Sequence, residues 1–195
     1  MKTVFFDVDT QIDFLYPAGA LYAPGAERVV PHVAALNRYA ASNEIVVIST
    51  MDAHSEDDPE FKSWPPHCVV ETAAQQKPVA TLLDKRVALP NRPCEIAIEG
   101  AQQILLEKQT VDCFTSVHLL PLLEKLNADR FVVYGVVTEV CVKNAAFGLL
   151  KTGKRVEIVT DAIRGLNEAD GAKVLADFTA AGGVLTTVAQ VTSTD

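Results

Sequence analysis

Six apolar runs rich in β-branched residues limit most strongly how this chain folds. They are TVFFDVD (3–9), EIVVIST (44–50), QQILLEK (102–108), RFVVYGVV (130–137), RVEIVT (155–160) and GVLTTV (183–188). The runs are continuous rather than alternating, which is typical of strands buried on both faces of a parallel sheet. Amphipathic segments between several of them predict helices, and this alternation gives right-handed βαβ units. We therefore expect a three-layer α/β/α fold around a six-stranded, mostly parallel sheet.

The segment between the second and third predicted strands is long and irregular. Residues 55–93 hold Pro59, Pro65, Pro66, Pro78, Pro90 and Pro93. Loops of this length in compact domains are often functional, so we expect this one to supply substrate and ion contacts. No linker or repeat divides the chain, and residues 1–195 are predicted to form a single domain.

The composition favours an enzyme that acts on small molecules. The 195 residues carry a formal net charge of −8, whereas a protein that binds nucleic acid through phosphate contacts is usually basic. No apolar segment approaches the roughly 20 residues that cross a bilayer, and Asp7 interrupts the first run too early for a signal peptide. The four cysteines form no CxxC pair and are expected to be reduced thiols. The sequence thus predicts a cytoplasmic protein with no nucleic-acid or membrane partner.

Reactive side chains follow four of the six predicted strands. The first run ends at Asp9, the second leads to Asp52 and His54, the third ends at Lys108, and the fourth leads to Cys141. Ligands of open α/β sheets bind outside the carboxyl ends of the strands, so we expect these side chains to meet at one edge.

Cys141 has two interpretations from its local sequence. A free cysteine is often a small buried hydrophobe, and alone that reading is favoured. However, Cys141 falls in the first turn of the helix predicted for EVCVKNAAFGLLKTG, where unpaired N–H groups favour a thiolate and can hold an oxyanion. The other cysteines, at 68, 94 and 113, lack this support and are expected to be structural.

Asp9 and Lys108 also admit ordinary structural roles. An aspartate after a strand is often a turn former, and a lysine there is often a solvated strand end. Beside a thiol, Asp9 becomes a general base that later returns the proton to a leaving amine, and Lys108 stabilises both anions.

A second cluster suits a metal site, although its spacing alone does not establish one. Asp52 and His54, two residues apart, lie on the same side of an extended chain, and His67 follows in a stiff Trp-Pro-Pro-His turn. A carboxylate and two imidazoles with open positions suit a divalent ion, with zinc favoured and iron or manganese as alternatives.

Four segments together resemble the isochorismatase-like cysteine hydrolases. FFDVDTQIDF resembles their D-x-Q-x-D-F opening, LEKQTVDCF their lysine segment, and YGVVTEVCV their nucleophile segment. MDAHSEDDPEFKSWPPHCV is similar to the D-x-H…W-P-x-H-C-V segment of the nicotinamidase branch. The matches run in family order over most of the chain.

The resemblance implies a specific set of site residues. It implies a catalytic triad of Asp9, Lys108 and Cys141, and an oxyanion hole formed by the N–H groups of Val137 and Cys141. It implies a cis peptide between Val136 and Val137, and substrate contacts from Phe14, Trp64 and Val137. It also implies metal ligation by Asp52, His54 and His67. It further implies an amidohydrolase that converts nicotinamide to nicotinate and ammonia through a thioester, and that forms a homo-oligomer.

The sequence departs from the family pattern around the expected pocket. Many nicotinamidases carry a further histidine shortly after the one matching His54, which is absent here. Glu71 replaces a family glycine, and Val111 and Asp112 replace a Tyr-Ser pair. The alternative is therefore a related hydrolase acting on a ureido, N-carbamoyl, biuret or maleamate-type substrate, for which a loop cation (Lys62, Arg86 or Arg92) would bind a carboxylate. A non-catalytic binding domain would lack a triad member, and isochorismatase proper lacks the cysteine.

Overall fold

All strands of the protein lie in one parallel sheet. The computed structural model describes residues 1–193, and in that range the sheet has seven strands in the order β3-β4-β2-β1-β5-β6-β7. Their bounds are Thr3–Val8 (β1), Val46–Asp52 (β2), Arg86–Leu89 (β3), Gln103–Lys108 (β4), Arg130–Val136 (β5), Arg155–Arg164 (β6) and Val184–Thr186 (β7). Every paired neighbour is parallel. The predicted α/β sheet is thus confirmed.

The predicted strand count was wrong by one. The missed strand, β3, pairs with β4 at the edge of the sheet and lies inside the segment predicted to be irregular. Only Leu89 of its four residues is buried, and the other three are exposed or half-exposed, so it has no continuous apolar run to reveal it. Edge strands are often short and polar in this way, because their free edge faces solvent.

Helices cover both faces of the sheet. They are Ile12–Leu15 (α1), Val30–Ser42 (α2), Leu119–Leu126 (α3), Lys143–Leu150 (α4), Glu168–Ala180 (α5) and Val188–Thr192 (α6). Successive residues of β1 alternate between two apolar cores, since Phe6 packs with residues of α3, α4 and α5 while Phe5 packs with residues of α1, α2 and α6. The three-layer prediction is therefore confirmed.

The N-terminus of α5 has an ordinary side-chain cap. The side chain of Asn167 accepts the N–H groups of Ala169 and Asp170, as expected of the N-cap of α5. Among residues 1–193, no helix combines the length and apolar character that a membrane span requires.

The carboxyl ends of β4, β2, β1 and β5 are adjacent. Asp52 is in register with Lys108, and Val8 is in register with both Thr50 and Gly135. A side chain at Gly135 would place its Cβ 2.1 Å from the carbonyl oxygen of Val8, so only glycine permits this approach. The four reactive segments thus emerge side by side.

Candidate active site

Asp9, Lys108 and Cys141 meet at the carboxyl edge of the sheet. Lys108 Nζ lies 2.9 Å from Asp9 Oδ2 and 4.0 Å from Cys141 Sγ. Asp9 and Lys108 are each at most 1% exposed, while Cys141 is partly exposed and lines a pocket. The three residues of the expected triad are therefore brought together.

The Asp9 carboxylate is held in place by the neighbouring strand. Its Oδ1 accepts a hydrogen bond of 2.7 Å from the Thr50 hydroxyl, and its backbone adopts a positive φ of 49° just after β1. Its Oδ2 is buried and, apart from the ion pair with Lys108, has no aligned hydrogen-bond donor. That oxygen is free to receive a proton.

Lys108 is shared between two carboxylates. Its ammonium donates to Asp52 Oδ1 and to the carbonyl oxygen of Thr110, in addition to its ion pair with Asp9. Burial alone would lower the pKa of Lys108, but the charges of Asp52 and Asp9 outweigh it and raise the pKa well above the ordinary value. Lys108 therefore stays a cation.

Cys141 lies in a π-helical turn, Thr138–Val142, that joins β5 to α4. The carbonyl oxygen of Val137 accepts the N–H groups of Val140 and Val142 at 3.0 and 3.1 Å. Among the described backbone contacts, the intervening Cys141 N–H makes no such bond to Val137. The expected cis peptide between Val136 and Val137 is present.

Burial has the largest effect on the pKa of the Cys141 thiol. Burial raises the pKa of the thiol well above its ordinary value, and the carboxylates of Asp9 and Asp52 add to this against the opposing charge of Lys108. The helix terminus and the lysine do not overcome these effects. Cys141 is thus a neutral thiol at rest, and a nearby base is needed to activate it.

Asp52, His54 and His67 form a compact buried cluster. Asp52 Oδ2 lies 3.9 Å from His54 Nε2 and 3.7 Å from His67 Nε2, and the ligand atoms of all three lie within 4.8 Å of one another. Each side chain is at most 5% exposed. These are the residue types and spacing of a divalent-metal site.

The state of these groups fits a metal. His54 Nε2 is buried with no hydrogen-bond partner, which is costly unless a ligand occupies that direction. His67 Nδ1 lies 2.9 Å from the Pro65 carbonyl oxygen, so its Nε2 is directed away with a free lone pair. Burial would raise the pKa of Asp52, but Lys108 and the two imidazoles hold it well below its usual range.

Two further acids lie beside this cluster, and sequence reasoning missed both. Asp58 Oδ2 lies 3.0 Å from His54 Nδ1, and His54, Asp58 and Glu60 form a second possible ligand group. Glu60 also lines the pocket, and burial together with the charge of Asp52 raises its pKa. The sequence SEDDPEF held the signal, since several acids follow the histidine within six residues.

The pocket in front of Cys141 has a volume of about 240 Å³. Phe14, Trp64 and Val137, the expected substrate contacts, all line it. The remaining lining residues are Asp9, Ala20, Leu21, Tyr22, Asp52, Glu60, His67, Val111, Val136, Val140, Cys141 and Leu166. Within the described structure no lysine or arginine lines it, so Lys62, Arg86 and Arg92 do not take the place suggested for them.

Gln11 and Asp13 support the site from below, and neither was assigned a role from sequence. Gln11 bonds the backbone of Asp52 on both sides, donating to its carbonyl oxygen at 2.8 Å and accepting its N–H at 2.7 Å. Asp13 Oδ2 accepts the N–H of Cys68, next to His67, at 2.6 Å. The D-x-Q-x-D spacing placed both residues just after Asp9 and was the available signal.

The departures from the family pattern have different locations. Glu71 is exposed, lies outside the pocket lining, and adopts a left-handed φ of 68° of the kind that favours glycine. Val111 lines the pocket, whereas the Asp112 side chain accepts the N–H of Phe114 and caps a short 3₁₀ turn. Cys68 and Cys113 are buried, and burial raises the pKa of both thiols.

Comparisons with known proteins identify the family of this chain. The Isochorismatase domain family matches residues 3–190. This chain belongs to that family. It is 27% identical to the nicotinamidase of Escherichia coli, with 93% of each chain covered.

Solved structures share the fold. The pyrazinamidase of Pyrococcus horikoshii in complex with zinc superposes with a TM-score of 0.82 at 24% identity, covering 96% of this chain and 99% of that one. The N-carbamoylsarcosine amidase of Thermoplasma acidophilum superposes with a TM-score of 0.76 at 21% identity, covering 96% and 97%. The fold is therefore common to amidases with different substrates.

Proposed function

We propose that this protein is a cysteine amidohydrolase that converts nicotinamide to nicotinate and ammonia. The observation that carries the proposal is the meeting of a thiol, an available carboxylate oxygen and a buried cation (Cys141, Asp9 and Lys108) beside a mainly apolar pocket whose lining includes no lysine or arginine. The match to the nicotinamidase of Escherichia coli over 93% of the chain supports the same substrate.

The first half of the reaction forms a thioester. Asp9 takes the thiol proton, and the Cys141 sulfur attacks the amide carbonyl carbon. The N–H groups of Val137 and Cys141 hold the resulting oxyanion, a form of stabilisation that is often the largest single contribution to catalysis. When the C–N bond breaks, Asp9 returns the proton to the departing nitrogen, which leaves as ammonia.

The second half releases the acid. Asp9 takes a proton from a water molecule, whose oxygen attacks the thioester carbonyl carbon. The C–S bond then breaks, the carboxylic acid leaves, and the proton returns from Asp9 to the sulfur. Lys108 remains protonated throughout and stabilises the anionic states of both partners.

Asp52, His54 and His67 would hold a divalent ion, with zinc favoured. When bound, the ion supplies a Lewis-acidic position at the pocket wall that orients a ring nitrogen. The buried, unpartnered Nε2 of His54 supports this assignment, and the relative from Pyrococcus horikoshii was crystallised with zinc. Elemental analysis of protein purified without added ions tests it, and less than about a tenth of an ion per chain, unchanged by adding zinc or manganese, would contradict it.

A second candidate substrate class is an N-carbamoyl or ureido compound. The fold likeness to an N-carbamoylsarcosine amidase favours it. The pocket argues against it, because many such substrates carry a carboxylate and the lining offers acids rather than a free cation. Buried unpaired charge is costly, so a neutral ring amide fits better.

The decisive experiment measures ammonia release from nicotinamide, pyrazinamide, ureidoacrylate, biuret and maleamate. We expect nicotinamide and pyrazinamide to be preferred, and the Cys141→Ala protein to be inactive with unchanged folding and metal content. Preference for a carboxylate-bearing amide would overturn the substrate assignment, while activity of Cys141→Ala near the normal rate would overturn the assignment of the nucleophile.

The predicted homo-oligomer is tested by size-exclusion chromatography with light scattering, and the cytoplasmic location remains a prediction.

A further inference from the structure

Leu166 is an exposed leucine at the edge of the active-site pocket. It is 52% exposed and lines the same cavity as Cys141. It lies in the short connection between β6, which ends at Arg164, and α5, which begins at Glu168. When a ligand covers an exposed apolar side chain beside a binding pocket, apolar surface is removed from water, and this stabilises the complex.

One carboxylate fixes the backbone of this connection. Glu139 Oε1 accepts the N–H groups of both Leu166 and Asn167, each at 2.8 Å. Glu139 belongs to the π-helical turn that carries Cys141, two residues later. The pocket wall and the nucleophile are thus joined through a single side chain.

The packing around Glu139 leaves it little freedom. Its Oε2 is buried with no hydrogen-bond partner, and a Cβ built on Gly165 would lie 2.3 Å from that oxygen. Residue 165 must therefore be small for the carboxylate to reach the two N–H groups. Glu139 is half-buried, and a carboxylate oxygen that is buried without a partner is unfavourable for stability, so stability alone does not explain this arrangement.

The other end of the connection is tied to a second wall of the pocket. Arg164 Nε donates to the carbonyl oxygen of Pro24 at 2.8 Å. Leu21 and Tyr22, just before Pro24, also line the cavity. Leu166 therefore stands between two anchors, and its place relative to Cys141 is set by both.

We propose that Leu166 is a specificity-determining residue that covers the substrate ring, and that Glu139 is the positioning residue that holds it there. This inference rests on the proposed function, since it assumes that the pocket binds a ring amide. Glu139 touches neither the substrate nor the reacting atoms. Its effect on the substrate passes through the backbone of Leu166.

The test is a double-mutant cycle on ligand binding. Nicotinamide affinity is measured in the Cys141→Ala background from the fluorescence of Trp64, the single tryptophan of the chain, which lines the pocket. We expect Leu166→Ala to weaken binding about tenfold and Glu139→Gln about threefold. The double variant should bind like Leu166→Ala alone, because the leucine side chain that Glu139 positions is then absent.

Two further variants serve as controls for this experiment. Gly165→Ala displaces the carboxylate without removing it and should reproduce Glu139→Gln, which keeps the test open if that variant fails to fold. Glu168→Gln removes the same charge from an exposed position two residues from Leu166 and should leave affinity unchanged.

The turnover numbers separate the competing explanations. With Cys141 present, we expect Glu139→Gln to raise KM while kcat stays within about twofold. A threefold effect of Glu139→Gln that persists in the Leu166→Ala background, or a fall in kcat with unchanged KM, would overturn the positioning role. If the wild type hydrolyses a different amide, the variants are measured with that amide, and equal KM values among them would overturn this inference alone. Absence of any amide hydrolysis by the wild type would overturn the proposed function.

Discussion

Two buried lysine–aspartate pairs lie at the end of β1, and their surroundings differ. Asp7 pairs with Lys77 at 3.2 Å, and Asp9 pairs with Lys108 at 2.9 Å. All four side chains are at most 3% exposed. Burying such a pair costs about as much desolvation energy as the attraction returns, so the ion pair alone does not explain either one.

The Asp7 pair is fully satisfied by hydroxyl groups. Asp7 Oδ1 accepts from Thr10 Oγ1 at 2.7 Å, and Oδ2 accepts from Ser49 Oγ at 2.8 Å. Lys77 also donates to Thr10 Oγ1, at 3.0 Å. Lys77 belongs to the long segment 55–93, so this pair fastens that segment to the sheet.

The Asp9 pair is incompletely satisfied and faces the pocket. Asp9 Oδ2 has no aligned donor, Lys108 divides its charge between Asp9 and Asp52, and Cys141 lies beside both. The same two residue types thus anchor the fold where both carboxylate oxygens accept hydrogen bonds. They are suited to proton transfer where one carboxylate oxygen has no aligned donor.

The largest expected difference between the pairs is in turnover. Asp9→Asn removes the proposed base and should lower kcat by about 10⁴-fold, as loss of a proton-transfer residue does in related chemistry. Asp7→Asn should change kcat less than about tenfold. Steady-state ammonia release from nicotinamide measures both, and equal losses would show that the two pairs share one role.

The next difference is in stability. Lys77→Met leaves Asp7 as a buried charge without its counterion and should lower the free energy of unfolding by about 3 kcal/mol in urea titrations. Asp7→Asn combined with Lys77→Met should restore part of the loss, because neither residue is then charged. A loss below about 1 kcal/mol would mean that the hydroxyl groups alone hold Asp7.

A third ion pair lies closer to solvent, and its contribution to stability is expected to depend on pH. Glu157 accepts from Arg130 and Arg155, at 2.6–2.8 Å and 2.6 Å. Burial opposes the charged form, but these two guanidinium groups lower the pKa of Glu157 below its ordinary 4.5. The contribution of Glu157 to the free energy of unfolding is therefore complete above pH 4.5, and it is lost as the pH falls through the lower folded-state pKa.

Glu157→Gln should accordingly destabilise the protein by about 1.5 kcal/mol at pH 7 and by less at pH 4. Urea denaturation at both pH values measures the difference. Asp177→Asn, which breaks the exposed pair with Lys173, serves as the control and should have no measurable effect. A penalty for Glu157→Gln that does not depend on pH would rule out a role for its charge.

The smallest effect concerns the segment that Lys77 fastens. Glu71 has a φ of 68°, so Glu71→Gly relieves strain and should raise the free energy of unfolding by about 0.5 kcal/mol after the added chain entropy is subtracted. Glu56→Gly, at an exposed position without a positive φ, should lower it by a similar amount. Destabilisation by both variants would contradict the strain at Glu71.

The sheet and the reactive residues at its edge could be predicted because both depend on local patterns. Continuous apolar runs identify buried strands, and the residues that follow them, such as Asp9 and Lys108, must lie at the carboxyl edge of a parallel sheet. The edge strand β3 escaped this reasoning because its short sequence is only half buried.

Contacts between distant segments could not be predicted in this way. The sequence places Glu139 beside Cys141 but does not reveal that its carboxylate binds the backbone at Leu166. The pKa of the Cys141 thiol likewise depends on burial and on the nearby carboxylates of Asp9 and Asp52. Glu60 reaches the pocket only through the path of the long segment.

The strand order divides the chemistry between two portions of the chain. The proposed base, the lysine and the proposed metal ligands all lie before residue 110, whereas the proposed nucleophile and both proposed oxyanion donors lie after residue 135. The two portions meet where β1 pairs with β5, at the seam that Gly135 keeps narrow. If the chain were split between residues 110 and 135, neither fragment would be active by itself. Recovered activity would therefore report directly that β1 and β5 had paired again.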